Sequence, residues 1–258
     1  MDQIAKTRRE GVAPIGNQTM SSGLALARNY HRWTYDWIAP FVQGRILDVG
    51  GGTGNHLAFL SDQRIVSIDI SRECIRDLQM RHAARPNWSF EVGDITDPGI
   101  VDRFGAQSFD TVLSCNVFEH IEHDERAFMN SAALLKPGGK LVLILPAHPS
   151  LYGSVDRLAG HYRRYSAAQA RQRLEAGHLE LFTLRYVNSV GAIGWFVNNR
   201  LVRHRALSSP TINGQIHAFD RYLVPLLMRL EGSRRMPFGQ SLLCVGRKPA
   251  PGDAANAA

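Results

Sequence analysis

ILDVGGGTG, residues 46–54, leaves a chain of this kind few ways to fold. A short, mostly apolar run that breaks directly into glycines reads as a buried strand followed by a tight turn. Glycines at 50, 52 and 54 let the backbone turn sharply and approach a ligand with no Cβ in the way. The same grammar repeats downstream. RIVSIDI (64–70), WSFEVGD (88–94), FDTVLSC (109–115) and KLVLILPA (140–147) read as further strands, HLELFTLRYV (178–187) as a sixth and QSLLCVGRK (240–248) as a last one. Helices are expected between them. One follows the glycine turn at residues 55–61, one is capped by Ser71, one ends near Leu135 at KPGG, and one starts at a Ser166–Gln169 capping box and stops before Gly177.

Strands alternating with helices predict an α/β fold, a Rossmann-like, doubly wound, seven-stranded sheet covered on both faces, plus a helical insertion before the last strand. The unbroken run LVLIL supports burial on both sides. Ligands of such sheets bind at the carboxyl ends of the strands. The expected organisation is an N-terminal helical or lid segment at 1–40, a core at 41–187 and 240–248, an insertion at 188–239 forming a substrate-side cap, and a disordered tail at 249–258. Within the insertion Phe219, Tyr222, Leu223, Leu226, Leu227 and Leu230 share one helical face, which Pro225 should kink or restart. The apolar stretch at 190–202 is too short to span a bilayer, and the first residues lack the apolar segment of a secretory signal. Three widely spaced cysteines, Cys74, Cys115 and Cys244, fit reduced thiols and a cytoplasmic location better than disulfides or a zinc site. The net charge is +7, and between Arg157 and Arg235 thirteen arginines face four acidic residues, which suits an anionic partner.

Two ligand classes compete for the glycine loop, dinucleotides and S-adenosylmethionine. A dinucleotide fingerprint needs G-x-G-x-x-G or A, and the third position falls on Asn55 or Leu57. No G-K-[ST] follows, so a triphosphate loop is excluded as well. Asp69, ending the second strand, stands where a carboxylate accepts hydrogen bonds from ribose hydroxyls, a feature both classes share.

ILDVGGGTG, SIDIS, GDITD, FDTVLSCNVFEHIEH and LLKPGGKLVLILP stand in the order and spacing of class I S-adenosylmethionine-dependent methyltransferases, and the chain resembles the bacterial small-molecule type of that family over residues 45–147. The resemblance implies that the last strand is antiparallel. It implies that Gly50, Gly52 and Gly54 border the methionine part of the cofactor, that Asp48 orders their loop, and that Asp69 holds the ribose. Asp94 and Ile95 would meet the adenine amino group, Ile70 would pack on the ring, and Cys115 and Asn116 would line the methionine end. Tyr30, on the segment that covers the cofactor in this class, is a further candidate. The product would be S-adenosylhomocysteine.

Methyl transfer from a sulfonium is an in-line displacement, so alignment and water exclusion matter most and a base is needed only where the nucleophile must lose a proton. Some methyltransferases bind a metal through Glu-x-x-Glu-His; here Asn116-x-x-Glu119-His120 lacks the first carboxylate, and no resident metal is expected. His161 and His120 are the candidates for the chemistry, His161 as base or substrate anchor. His148, Tyr152, Tyr162, Arg163 and Tyr165, on the loop leaving the fifth strand, are candidates for the acceptor wall, and Arg163 and Arg164 are not expected to form a nucleic-acid track. The favoured acceptor is a small molecule, anionic or lipid-linked, with peripheral membrane contact and oligomerisation both compatible with the pattern. Transfer to RNA or another nucleic acid is the alternative that the arginine excess favours. The absence of an Asn-Pro-Pro-Tyr type motif, with CNVF in its place, weighs against it. A silent binding subunit is the third reading.

Overall fold

The computed structural model describes residues 22–60, 63–197, 210–232, 234 and 236–252. The expectations for residues 1–21, for 198–209 of the insertion and for the tail from 253 fall outside the described residues. In chain order the elements are α1 (Ser22–Ala25), α2 (Arg28–Ile38), β1 (Arg45–Val49), β2 (Arg64–Asp69), α3 (Arg72–Arg81), β3 (Trp88–Val92), α4 (Ile100–Phe104), β4 (Phe109–Cys115), α5 (Asp124–Leu134), β5 (Leu135–Pro146), α6 (Ser154–Ala159), α7 (Ala167–Ala176), β6 (Glu180–Val187), α8 (Ser189–Phe196), α9 (Pro210–Ala218), α10 (Val224–Glu231) and β7 (Ser241–Arg247).

The seven strands form one sheet in the order β3-β2-β1-β4-β5-β7-β6, with β7 antiparallel to both neighbours. Alternation along β1 divides its side chains between two cores. Ile46 enters one apolar cluster, with Trp33 and Trp37 of α2, while Leu47 and Val49 enter the other, with Phe118 and Phe128. The chain leaves β1 and β4 toward opposite ends of the sheet order, which opens a crevice at their carboxyl ends. Ser71 caps α3, and the reciprocal Ser166–Gln169 box opens α7.

Behind the glycine loop, of the helix expected at 55–61, the described residues 55–60 form only a single 3-10 turn, Leu57–Phe59. The connection is too short for more. After Gly54 only nine residues precede Arg64, whereas returning along a five-residue strand of about 17 Å would take about eleven residues of α-helix plus two turns. Pro225 does restart a helix. Phe219–Leu223 forms a π turn, and α10 begins at Val224 with the proline in its first turn. Of the apolar face expected there, Leu227 is buried, but Tyr222, Leu223, Leu226 and Leu230 are exposed.

Candidate functional site

A cavity of about 1250 Å³ occupies the crevice. That exceeds the several hundred Å³ of a pocket for one drug-sized ligand and leaves room for two molecules side by side. One half is made by the β1, β2 and β4 ends. Tyr30, Gly50, Gly52, Asp69, Ile70, Asp94, Ile95, Cys115 and Asn116 all line it. Gly54 and Asp48 do not. Asp48 lies buried beneath the loop, where its carboxylate accepts a 2.7 Å hydrogen bond from Ser67, and burial pushes its pKa up to about 6.

Asp69 braces the loop from the far side. One oxygen accepts from the Gly52 N–H at 2.9 Å and the other from the Ser71 N–H at 2.8 Å. A carboxylate offers about four acceptor positions, so both oxygens keep capacity for a ligand. Asp94 holds its own turn through the Thr96 N–H and hydroxyl, each at 2.8 Å. A Cβ added at Gly52 would meet nothing nearer than the Gly50 carbonyl at 3.8 Å, so any side chain there would stand in the open cavity. Ile70, half exposed, offers an apolar platform beside it. These features fit a nucleoside-containing ligand. Trp33 and Trp37 anchor α2 in the core, while Tyr30, one turn before Trp33, reaches the cavity, where burial pushes its phenol up to about 12.

The second half of the cavity centres on four groups from two loops. Glu119 and His120 come from the 3-10 turn after β4, and His161 and Arg164 from the segment after α6. Local chemistry joins them. α6 ends in a Schellman motif, with Gly160 left-handed, its N–H donating to Arg157 O, and the His161 N–H donating to Asp156 O at 2.9 Å. The Tyr162 N–H then donates to Glu119 O at 2.8 Å, which sets His161 against the β4 turn. His161 Nδ1 lies 3.0 Å from Asp156 Oδ1. The same oxygen accepts from Arg164 Nε at 2.7 Å, while the other takes the Gly153 N–H at 2.9 Å and the Trp195 Nε1–H at 3.4 Å. Burial works against ionised Asp156, but the His161 hydrogen bond and the Arg164 charge outweigh it and hold its pKa near about 2. An acceptor-only carboxylate requires a proton on His161 Nδ1, so the tautomer of the neutral ring is the one with its lone pair on Nε2.

His161 Nε2 stands 4.0 Å from Glu119 Oε1. Glu119 is wholly buried, and among the described residues no side chain or backbone group hydrogen-bonds to either of its carboxyl oxygens. Burial lifts its pKa to about 7, partly offset by His161 and Arg164. His120 packs edge-on against His161 at 4.7 Å, and burial followed by that neighbour lowers its pKa to about 3. Glu119, His120 and His161 present ligand-capable atoms within 4.8 Å of one another, a spacing a cation could use. That places a possible donor set where the missing first carboxylate of Asn116-x-x-Glu119-His120 argued against one.

The other loop residues assigned to the acceptor wall are not among those lining the cavity. Tyr165 is buried and donates to Asp124 Oδ2 at 2.7 Å, Arg163 pairs with Asp124 at 2.7 Å, and Tyr152 donates to the His161 carbonyl at 2.8 Å. His148 stacks on Tyr186 at 4.7 Å, and Tyr162 points to solvent. Asp156 and Arg164 organise this half; the sequence assigns Asp156 no role, Arg164 only its exclusion from a nucleic-acid track, and Glu119 none apart from a metal. An acid five residues before a histidine, across a short helix and a glycine, is the signal that was present. The insertion completes the wall with Ile193, Trp195, Ile212, Ile216, Phe219 and Tyr222.

Residues 46–139 match the family model described as a methyltransferase domain. With its sheet order and the placement of the loop motifs, this region has the Rossmann-like methyltransferase fold. An uncharacterized methyltransferase of Mycobacterium tuberculosis strain H37Rv is 30% identical over 147 residues, 55% of this chain and 56% of that one. The lovastatin diketide synthase lovF of Aspergillus terreus is 33% identical over 111 residues, 40% of this chain and 4% of that protein. The chain thus spans about half of the first of these and a small part of the second. Among solved structures, a putative methyltransferase in complex with the Haloferax volcanii Trm112 methyltransferase activator superposes with a TM-score of 0.59 at 21% identity, covering 87% of this chain and 91% of that one, which shows the shared fold.

Proposed function

We propose that the protein transfers a methyl group from S-adenosylmethionine to a small-molecule acceptor carrying a weakly acidic nucleophile such as a hydroxyl. The carrying observation is that one cavity joins the brace of Gly52, Asp69 and Ser71 to the pair Glu119–His161. When bound, the cofactor supplies a sulfonium-activated methyl group open to in-line displacement. Asp69 would hold the ribose hydroxyls with its remaining acceptor positions, Asp94 and Ile95 would meet the base, and Gly52 leaves space for the ligand to lie against the backbone. His161, its tautomer fixed by Asp156, would take the proton of the nucleophile at Nε2. A single oxygen atom about 2.8 Å from both His161 Nε2 and Glu119 Oε1 fits the 4.0 Å between them. His120 is too weakly basic for that role, because burial holds it neutral. The insertion supplies an apolar wall, which favours an acceptor with hydrocarbon character over an open nucleic-acid track, and Arg164, neutralised by Asp156, is no free phosphate contact.

Incubating cell extract with the enzyme and isotopically labelled donor, then identifying the labelled product by mass spectrometry, tests the reading. His161→Ala should lower kcat about 100-fold while leaving donor affinity unchanged; unchanged turnover removes His161 from the chemistry. Activity should persist in chelator, and its loss there would reassign Glu119, His120 and His161 to a cation. A chain that does not bind the donor would be the silent subunit.

A further inference from the structure

Between residues 188 and 239 the sequence holds seven arginines and two acids, Asp220 and Glu231. Both acids are committed to neighbouring helix starts. Asp220 accepts the Tyr30 N–H at 2.7 Å in the first turn of α2. Glu231, buried beneath α8, accepts the Asn188 N–H at 3.0 Å and the Ser189 N–H at 2.9 Å, and the Ser189 hydroxyl also donates to it. Each carboxylate meets the positive end of a helix dipole. No other acid exists in the segment to occupy its outer face.

That outer face is apolar. Along the π turn and α10, Val224 and Leu227 are buried on one side, while on the other Tyr222 is 69% exposed, Leu226 and Leu230 are each 50% exposed, and Leu223 is also exposed. Exposed Arg221 and Arg229 flank this stripe. α8 adds Ile193 and Phe196, the residue after it adds Val197, and the turn between α1 and α2 adds Leu26, 79% exposed. Ile193, Val197, Tyr222 and Leu223 also line the cavity, so the face is continuous with its wall. Apolar side chains exposed together to this extent mark a contact surface.

We propose that this face docks onto an anionic lipid bilayer, with the cavity mouth turned toward the lipid. A helix with leucines and a tyrosine on one side and arginines at its margins matches the chemistry of a membrane interface, where arginine stems lie along apolar surface and guanidinium groups reach lipid phosphates. With both acids turned to helix starts, the charged side chains flanking the stripe are arginines, which suits anionic headgroups. A second copy of the chain is the poorer occupant, because a two-fold contact would set these arginines against themselves. Attachment is at the surface, since no helix of the described residues is long and apolar enough to cross a membrane. The further step, that the acceptor is a lipid reaching His161 from the bilayer, rests on the methyltransferase reading; the docking does not.

Vesicle flotation of the purified full chain tests it, with phosphatidylcholine alone and with phosphatidylcholine doped with phosphatidylglycerol. The expected result is flotation with the anionic vesicles and at least about tenfold weaker binding to the neutral ones. The double substitution Leu226→Ser and Leu230→Ser, outside the cavity, should weaken binding by about tenfold or more while the melting temperature and donor affinity stay unchanged. Failure to float, or flotation indifferent to the double substitution, overturns the proposal. So does a dimer in light scattering that the double substitution splits, which would give the face to a second copy. A chain that floats but transfers no methyl group refutes the enzymatic reading and leaves the docking standing.

Discussion

Replacing Glu119 by glutamine should make the protein more stable at pH 8 and nearly inactive. Glu119 is wholly buried, its carboxyl oxygens have no hydrogen-bond partner among the described residues, and its pKa rises from 4.5 to about 7, a value that already includes the attraction of His161 and Arg164. With the folded pKa above the unfolded one, the folded state holds the extra proton between these values, so this group's contribution is full below pH 4.5 and is lost as the pH rises through 7. Two to three pKa units correspond to about 3 kcal/mol. Glu119→Gln keeps the shape and removes the charge. Its melting temperature should match the wild type near pH 4.5 and exceed it at pH 8 by about 6–12 °C, taking about 2–4 °C per kcal/mol for a chain of this size. The difference between the two proteins across pH isolates this group from other buried acids, such as Asp48, which titrates in the same direction. Calorimetric scans at half-unit steps would read it. A variant less stable than the wild type at pH 8, or a pH difference that stays flat, would show that the carboxylate has a partner that stabilises its charge, and would sink the account of the Glu119–His161 pair.

Asp69→Ala should weaken S-adenosylmethionine binding by roughly 10- to 100-fold in calorimetry, the scale of losing charge-assisted hydrogen bonds; unchanged affinity would move the ribose elsewhere. Gly51→Ala would bring a Cβ to 2.2 Å from Ser67 Oγ and 3.2 Å from Asp48 Oδ2, so it should break their hydrogen bond and cost about 2–3 kcal/mol in chemical denaturation, with an unaffected midpoint as the refuting result. Asp156→Asn strips Arg164 of its buried counter-charge and should cost about 3–5 kcal/mol, of which a second change, Arg164→Met, should restore more than half; additive losses would show that the two residues act independently.

The sheet was legible because its central strands are buried on both faces, because β1, β2 and β5 run into glycine, aspartate and proline, and because LVLIL and LLCV admit no amphipathic alternative. The cofactor half of the site was legible for a related reason. Its residues sit at strand ends, where position in the sequence fixes position in space, and Asp69, Asp94 and Asn116 all stand at the cavity. The turn at 57–59 was misread because apolar spacing alone says nothing of the length a crossover must span. The acceptor half failed for another reason. Its geometry depends on Tyr162 bonding to the β4 turn some forty positions earlier, and no local periodicity records such a contact.

One pattern in that loop could nonetheless have been read. Tyr165 forms a parallel bridge with Ala147, so the chain approaching it lies extended beside β5. Extended backbone sends alternate side chains to opposite sides. In Y-R-R-Y this groups Arg163 with Tyr165 and sets Arg164 apart from both. The contacts obey it. Arg163 and Tyr165 converge on Asp124, at the start of α5, while Arg164 turns the other way to Asp156 and the cavity. Two adjacent arginines thus neutralise two different buried acids, one binding the loop to the outer helix and one ordering the histidine. An anion-binding patch needs both guanidinium groups on one side with their charge free, and the period of an extended chain denies the first condition before any partner is considered. The arginine excess that seemed to point to nucleic acid is, at these two positions, an internal requirement of the site.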